Sequence, residues 1–196
     1  MWYDLSGNGN NGTLENSPTF DSNNRGSIVF DGSNERVSFD TYNINTSPSM
    51  CVESWVTKDN SDYEWIAGKY GTPNGWHLIY SSGGGGFAIN GRDGSGLYRS
   101  SGYASIPPNS GFHHVVGNIN LNIWEIWVDG VLESSTNTNY TNNNFLSSAD
   151  LGIGYRSDSP SLYWTGNIAS VKIYNRALTP EEITQNYNTI KTRFGL

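Results

Sequence analysis

The sequence predicts an all-β fold, two antiparallel sheets packed face to face as a sandwich, with one short C-terminal helix. Three observations carry this. Short β-prone runs recur along the chain, separated by Gly-, Asn- and Ser-rich turn signals. In the clearest runs, alternate residues fall on opposite faces with distinct chemistry. The β pattern then stops at Tyr174, and a capped helix signature follows it.

The first strands fall at Thr13–Glu15, Ser27–Phe30 and Arg36–Phe39. In Met50–Lys58, one face carries Met50, Val52, Ser54 and Val56, and the other carries Cys51, Glu53, Trp55 and Thr57. Glu64–Tyr70, Trp76–Tyr80 and Gly86–Asn90 follow, with the run SSGGGG at Ser81–Gly86 as a loop or hairpin tip. Next come Gly96–Ser100, His113–Ile119 and Trp124–Asp129, where Trp124, Ile126 and Val128 oppose Glu125 and Trp127. Asp129-Gly130 tolerates positive φ at both positions and predicts a two-residue hairpin into Val131–Ser135. Asn137–Asn144 is a polar connection, and Leu151–Tyr155 and Tyr163–Tyr174 complete the strands. Both faces of the alternating strands carry aromatics, so alternation does not say which is the core. A Glu beside a Trp on one face predicts a partly wet surface. After the last strand, Thr179 is placed to cap a helix, Pro180 suits its first turn, and Glu182 is placed to reach back to the cap amide. Ile183, Tyr187 and Ile190 fall on one face of that helix.

At 196 residues the chain reads as one domain, 1–196. A chain of this length buries roughly 70% of its unfolded surface, enough for a core without disulfide staples. Apolar residues are sparse at 35% while aromatics reach 13%, so a few large side chains carry much of the burial. The net charge is −7 and the eleven basic residues are scattered, which argues against nucleic acid as a partner. Cys51 is the single cysteine and reads as a small buried hydrophobe in Met50-Cys51-Val52. There is no signal-peptide pattern and no apolar run long enough for membrane insertion.

Four stretches carry a family resemblance: Asp4–Leu14 (DLSGNGNNGTL), Gly26–Phe39 (GSIVFDGSNERVSF), Ile123–Leu132 (IWEIWVDGVL) and TGNIASVKIYNRALTPEEI, which begins at Thr165. In that order they resemble laminin-G-like, concanavalin A-like jelly-roll domains, and the resemblance covers Trp2 to Leu196. The wording of both ends, WYDLSGNGNNGTL and QNYNTIKTRFGL, is similar to laminin-G-like modules in virion proteins of tailed phages. The resemblance implies a two-sheet antiparallel jelly roll. It also implies a domain taken from a larger protein, on a virion or in an extracellular or cell-surface setting.

Three chemistries come into question: glycoside hydrolysis, metal binding and glycan binding. Glucanases share this architecture, and glycoside hydrolysis needs two carboxylates about 5–5.5 Å or roughly 6.5–9.5 Å apart. The Glu-x-Asp-x-x-Glu run is absent. Asp62 with Glu64 sits beside a polar turn, and Asp129 of the Glu125/Asp129 pair is explained by its hairpin, so no catalytic residue is assigned. His77, His113 and His114 have no zinc-motif spacing. For calcium, Asp4, Asn8 and Asn10 supply oxygens on a Gly-rich loop, and Asp31 in FDG is the second candidate. The resemblance implies one Ca²⁺ at the sandwich rim, held by such an Asp, carbonyls and an acid in a Gly-x-Ile-Asp-Glu segment. This chain reads Gly166-Asn167-Ile168-Ala169-Ser170 there, and Asx turns are the alternative use of Asp4 and Asp31.

The third chemistry is glycan binding, in which sugar rings stack on aromatic faces while amides and charged groups read the hydroxyls. Trp65, Trp76, Tyr155, Tyr163 and Trp164 lie at strand ends or beside Gly/Ser loops, and Trp127 lies on the Glu-bearing face. Each is either core packing or an exposed ring platform. Asn74, Asn90, Arg92 and Asp93 suit a hydroxyl-reading rim or ordinary turns. The resulting expectation is a non-catalytic module binding a glycan or polysaccharide. The alternatives are a structural virion module contacting other virion or surface proteins, and, third, a glycoside hydrolase.

Overall fold

The computed structural model describes residues 1–23, 25–39, 48–71, 73–141, 143, 145 and 147–196. In chain order its strands are β1 (Thr13–Glu15), β2 (Thr19–Asp21), β3 (Ser27–Asp31), β4 (Arg36–Ser38), β5 (Met50–Val56), β6 (Glu64–Tyr70) and β7 (Gly75–Ser81). There follow β8 (Gly86–Arg92), β9 (Tyr98–Ser100), β10 (His113–Asn120), β11 (Ile123–Val128), β12 (Val131–Asn137), β13 (Gly152–Ile153) and β14 (Thr165–Tyr174), then the helix α1 (Pro180–Ile190) and a 3₁₀ turn at Lys191–Phe194. Two seven-stranded sheets form. The first has the order β1-β4-β13-β6-β7-β8-β9 and the second β12-β11-β10-β5-β14-β3-β2. The pairings are antiparallel, as the sequence predicts.

The Asp129-Gly130 hairpin forms with φ of 53° and 80°, pairing Val128 with Val131. Ser81–Gly86 is likewise a hairpin, with Ser81 opposite Gly86. Three differences have local causes. β2 gives no alternation to read in three residues after Pro18, and it exists only because Thr19 and Phe20 pair with Val29 and Ile28. Gly96 (φ 81°) donates to the Asp93 carbonyl in a turn, so β9 starts at Tyr98 rather than Gly96. Gly154 (φ 78°) ends β13 after two residues. Residues 142 and 144 of the polar connection lie outside the described residues.

Packing settles which faces are inside. Met50, Val52 and Val56 of β5 and Trp124, Ile126 and Val128 of β11 meet Trp76, Leu78, Phe87 and Ile89 of the first sheet in one buried core. The opposite face, expected to be partly wet, is instead covered by the C-terminal segment. Ile183 and Leu178 bury against Cys51, Val116 and Trp127. Trp55 stacks on Phe194 at 4.3 Å and on Tyr187 at 5.8 Å. Glu53 survives there because Lys172, Asn186 and His114 surround it.

The helix entrance is the predicted capping box. Thr179 Oγ1 accepts from the Glu182 amide, and the Glu182 carboxylate accepts from the Thr179 amide at 2.9 Å. Thr179→Ala is expected to destabilise by about 1 kcal/mol. Identical urea midpoints for variant and parent would show that the cap contributes nothing.

Candidate functional site

The second sheet is covered by α1, whereas the outer face of the first sheet is covered by side chains and connecting segments: Trp65, Ile79 and Ala88 bury there with Tyr63, Tyr70 and Leu162 packed against them. Register sets its side chains. In one row across the strands, Gly68 lies opposite His77, His77 opposite Asn90, and Asn90 opposite Ser100. In the next row Tyr70 lies opposite Gly75, Gly75 opposite Arg92, and Arg92 opposite Tyr98. The glycines shape the surface. Arg92 reaches across β7, where its Nε donates to the Tyr70 hydroxyl at 2.8 Å, and Gly75 itself (φ 144°) has no room for a Cβ against the Lys69 carbonyl. Bare Gly68 lets the Trp65 indole lie flat on the sheet, since an added Cβ would come within 2.9 Å of both the indole and His77 Cβ. The indole stacks on the His77 ring at 4.2 Å and 7°.

The rings form layers. Trp65 and His77 are the inner layer, each 2% exposed, and Tyr70 packs edge-on against both. Above them Tyr98 and Tyr103 reach solvent at 52% and 39%, flanked by the partly buried Tyr63 and Tyr70. Burial, then the nearby hydroxyls of Tyr63, Tyr103 and Tyr70, push the Tyr98 phenol well up, so it stays a neutral hydroxyl. Arg156 lies 5.8 Å from the Trp65 ring and 6.0 Å from the Tyr70 ring, held by two hydrogen bonds to Asp158.

The polar floor has groups without partners. Asn90 is fully buried, yet among the described residues neither its amide oxygen nor its amide nitrogen is bonded, and His77 Nδ1 is likewise unpartnered. Burial, with a smaller effect of Arg156, lowers His77 to about 3, so the imidazole is neutral at pH 7. Polar atoms left this way in a dry site cost stability unless water or a ligand satisfies them.

Of the sequence candidates, the structure brings Trp65, Asn90 and Arg92 together on this face. Tyr155 lies farther along it over Gly152, stacked on Tyr163. Asp93 sits at the rim, where it accepts from Ser95, Leu97 and Arg99 and organises its own turn. Three candidates are corrected as ring platforms. Trp76 and Trp164 fill the interior between the sheets, and Trp127 lies beneath α1 with its indole N–H on Glu125. None offers a free ring face. The exposed rings, Tyr98 and Tyr103, were missed, although each lies within two residues of a turn glycine, Gly96 or Gly102, the same signal that selected the tryptophans.

The calcium candidates are engaged elsewhere. Asp4 accepts from the amides of Ser6 and Asn10, and the Ser6 hydrogen bond leads in lowering its pKa. Asn8 donates to Ser6, and Asp31 accepts from the Ser33 amide. Among the described residues no three His, Cys, Asp or Glu side chains gather as a metal group. A shell of about six to eight oxygens does not fit a donor set turned onto its own backbone. The two glutamates of the candidate hydrolytic pairs are also engaged. Glu64 holds buried Lys58 at 2.7 Å and accepts from Thr165, and Glu125 accepts from Asn118 and Trp127.

A groove of about 500 Å³ runs between Asn118, Glu125 and the segment Arg176–Pro180. Asn118 there is bonded on both sides, to Glu125 and to the Leu178 backbone, so its polar groups anchor the helix approach.

Among solved structures, the receptor-binding domain of botulinum neurotoxin D is similar, with a TM-score of 0.71 at 16% identity over 95% of this chain and 49% of that one. The same domain of a botulinum C/D mosaic serotype gives 0.75 at 16%, over 95% and 48%. Domain 4 of an extracellular arabinanase from Geobacillus stearothermophilus, in complex with arabinotriose, gives 0.68 at 18%, over 89% and 81%. The chain spans about half the length of the toxin domains it matches. At these identities the likeness is one of fold. A search of curated proteins by sequence gave no match. A family model described as the concanavalin A-like lectin/glucanases superfamily matches residues 31–184, most of the sequence, and the chain belongs to that superfamily.

Proposed function

We propose that this chain is a non-catalytic module that binds a saccharide on the outer face of the first sheet. The observation that carries the reading is the set of partly and well exposed tyrosines, Tyr63, Tyr70, Tyr98 and Tyr103, above unpartnered polar atoms of Asn90 and His77. Rings with a hydroxyl edge suit sugar stacking, and a neutral amide and imidazole suit hydroxyl recognition. A domain of similar fold in an arabinanase is seen with arabinotriose, and the toxin domains are receptor-binding, which supports binding and an extracellular setting.

The carboxyls on this face argue against hydrolysis. A general acid needs a raised pKa. Asp158 is instead lowered, first by its hydrogen bond from Arg156. Burial works to raise Asp93, but the hydrogen bonds from Ser95 and Arg99 outweigh it and lower the net value. Elsewhere Ser110, His113 and Asp129 line up at 2.9 and 2.7 Å. The Ser110 hydroxyl also lies 2.5 Å from the Pro107 carbonyl, and its single proton serves only one acceptor. Asp129 is further held by the His114 amide in the hairpin turn. That chain of contacts is read as a clamp on the turn.

One shallow site of stacked rings leaves little net free energy after ordering, so dissociation constants of roughly 10 µM to 1 mM are expected. Several copies acting together would supply useful adhesion. The test is a glycan array followed by calorimetry on the best ligand. Tyr98→Ala is expected to weaken binding by about tenfold or more and to leave the melting midpoint nearly unchanged, because the ring is half exposed. A blank array with folded protein, or full affinity in Tyr98→Ala, would overturn the reading in favour of a module that makes protein contacts.

A further inference from the structure

We infer that the saccharide selected by this face is an acidic one, and that Arg92 reads its carboxylate. The inference rests on the saccharide-binding reading above and names its ligand class. Four arginines border the outer face. Arg36 pairs with Glu15, Arg99 with Asp93 and Arg156 with Asp158. Arg92 has no carboxylate partner among the described residues. Its hydrogen bond to the Tyr70 hydroxyl uses Nε, and among the described residues the two terminal nitrogens have no hydrogen-bond partner.

In a chain of net charge −7, three of the four arginines are compensated and Arg92 is the one without a carboxylate beside it among the described residues. His77 is neutral, and Tyr70, Tyr98 and Asn90 around Arg92 carry no charge. Arg92 is partly buried, where a charge is screened less than one in open water. It is also oriented in advance, by the Tyr70 hydrogen bond and by the ring 5.9 Å away. A planar guanidinium held this way matches a planar carboxylate through two parallel hydrogen bonds. Asn90, two residues along the same strand and on the same face, supplies the unpartnered donor and acceptor for an adjoining hydroxyl. The chemistry that fits is a uronic acid unit, its ring against Tyr98 and its carboxylate on Arg92.

The experiment uses the full chain and an array of uronate oligosaccharides, each paired with its methyl ester, alongside sulfated and neutral sugars. Hits are followed by calorimetry at low and high salt. The acid is expected to bind about tenfold or more tighter than its ester, and the gap is expected to narrow with salt. Arg92→Gln should bring the acid-to-ester ratio close to one. Arg92→Lys, which keeps charge without the planar fork, should give an intermediate ratio, with folding of both variants checked by melting. Equal affinity for acid and ester, a preference that survives Arg92→Gln, or a preference for sulfate would overturn the carboxylate assignment and leave saccharide binding standing. No binding to any sugar would overturn saccharide binding itself.

Discussion

Trp164→Ala is expected to cost about 3–5 kcal/mol of stability, a large share of the roughly 5–15 kcal/mol that holds a typical domain folded. Trp164 is fully buried between the sheets. Its ring also carries the Lys58 ammonium at 5.1 Å, and Lys58 is buried against Glu64. Removing the indole therefore opens a cavity and loosens the surroundings of a desolvated ion pair. Urea unfolding of variant and parent measures the effect. A loss below about 1 kcal/mol, the scale of a surface substitution, would mean that this end of the sandwich is less tightly packed than the structure shows.

Acid is expected to destabilise the chain in two overlapping stages. His77 is lowered to about 3 by burial, whereas in the unfolded chain it titrates near its model value of 6.5. The unfolded state then takes up a proton that the folded state refuses. This contribution is full above about pH 6.5 and is lost as pH falls toward 3, at about 1.4 kcal/mol per unit. Burial alone would raise Glu53, but the His114 ring 3.7 Å away and the hydrogen-bonded Lys172 ammonium bring it to about 2, against an ordinary value of 4.5. Its contribution is present above about pH 4.5 and is lost as pH falls toward 2. Urea midpoints from pH 7 to pH 3 should therefore fall from about pH 6 downward and steepen below about 4.5. His77→Gln should flatten the upper part of that curve. Unchanged midpoints in the parent down to pH 4 would mean that His77 takes up its proton while folded, and that the ring layer over it is open.

Signals within a few residues were legible in the sequence. The Thr179 capping box, the Asp129-Gly130 turn and the face of Ile183 all form as read, because each depends on local geometry. The faces of β5 and β11 were not, since Trp55 and Trp127 balance Trp124 across the strands. Only the docking of α1 explains why Glu53 and Glu125 lie beside buried indoles. The site was half legible. Asn90 and Arg92 were singled out, but their neighbours Gly68, Tyr70, Gly75, His77 and Tyr98 come from three other strands whose register no single strand encodes. Choosing tryptophan over tyrosine as the ring platform also misled. In this chain large indoles fill the core or lie flat beneath other rings, while tyrosine presents its hydroxyl edge to water.

The central claim, that the outer face of the first sheet is the binding face, is tested most directly by backbone amide NMR during titration with an array-selected oligosaccharide. The account predicts that shifts concentrate at residues 68–70, 75–77, 90–92 and 98–103, and that amides of α1 stay still. Shifts gathered instead along Asn118, Glu125 and Arg176 would place the ligand in the groove beside the helix and contradict it.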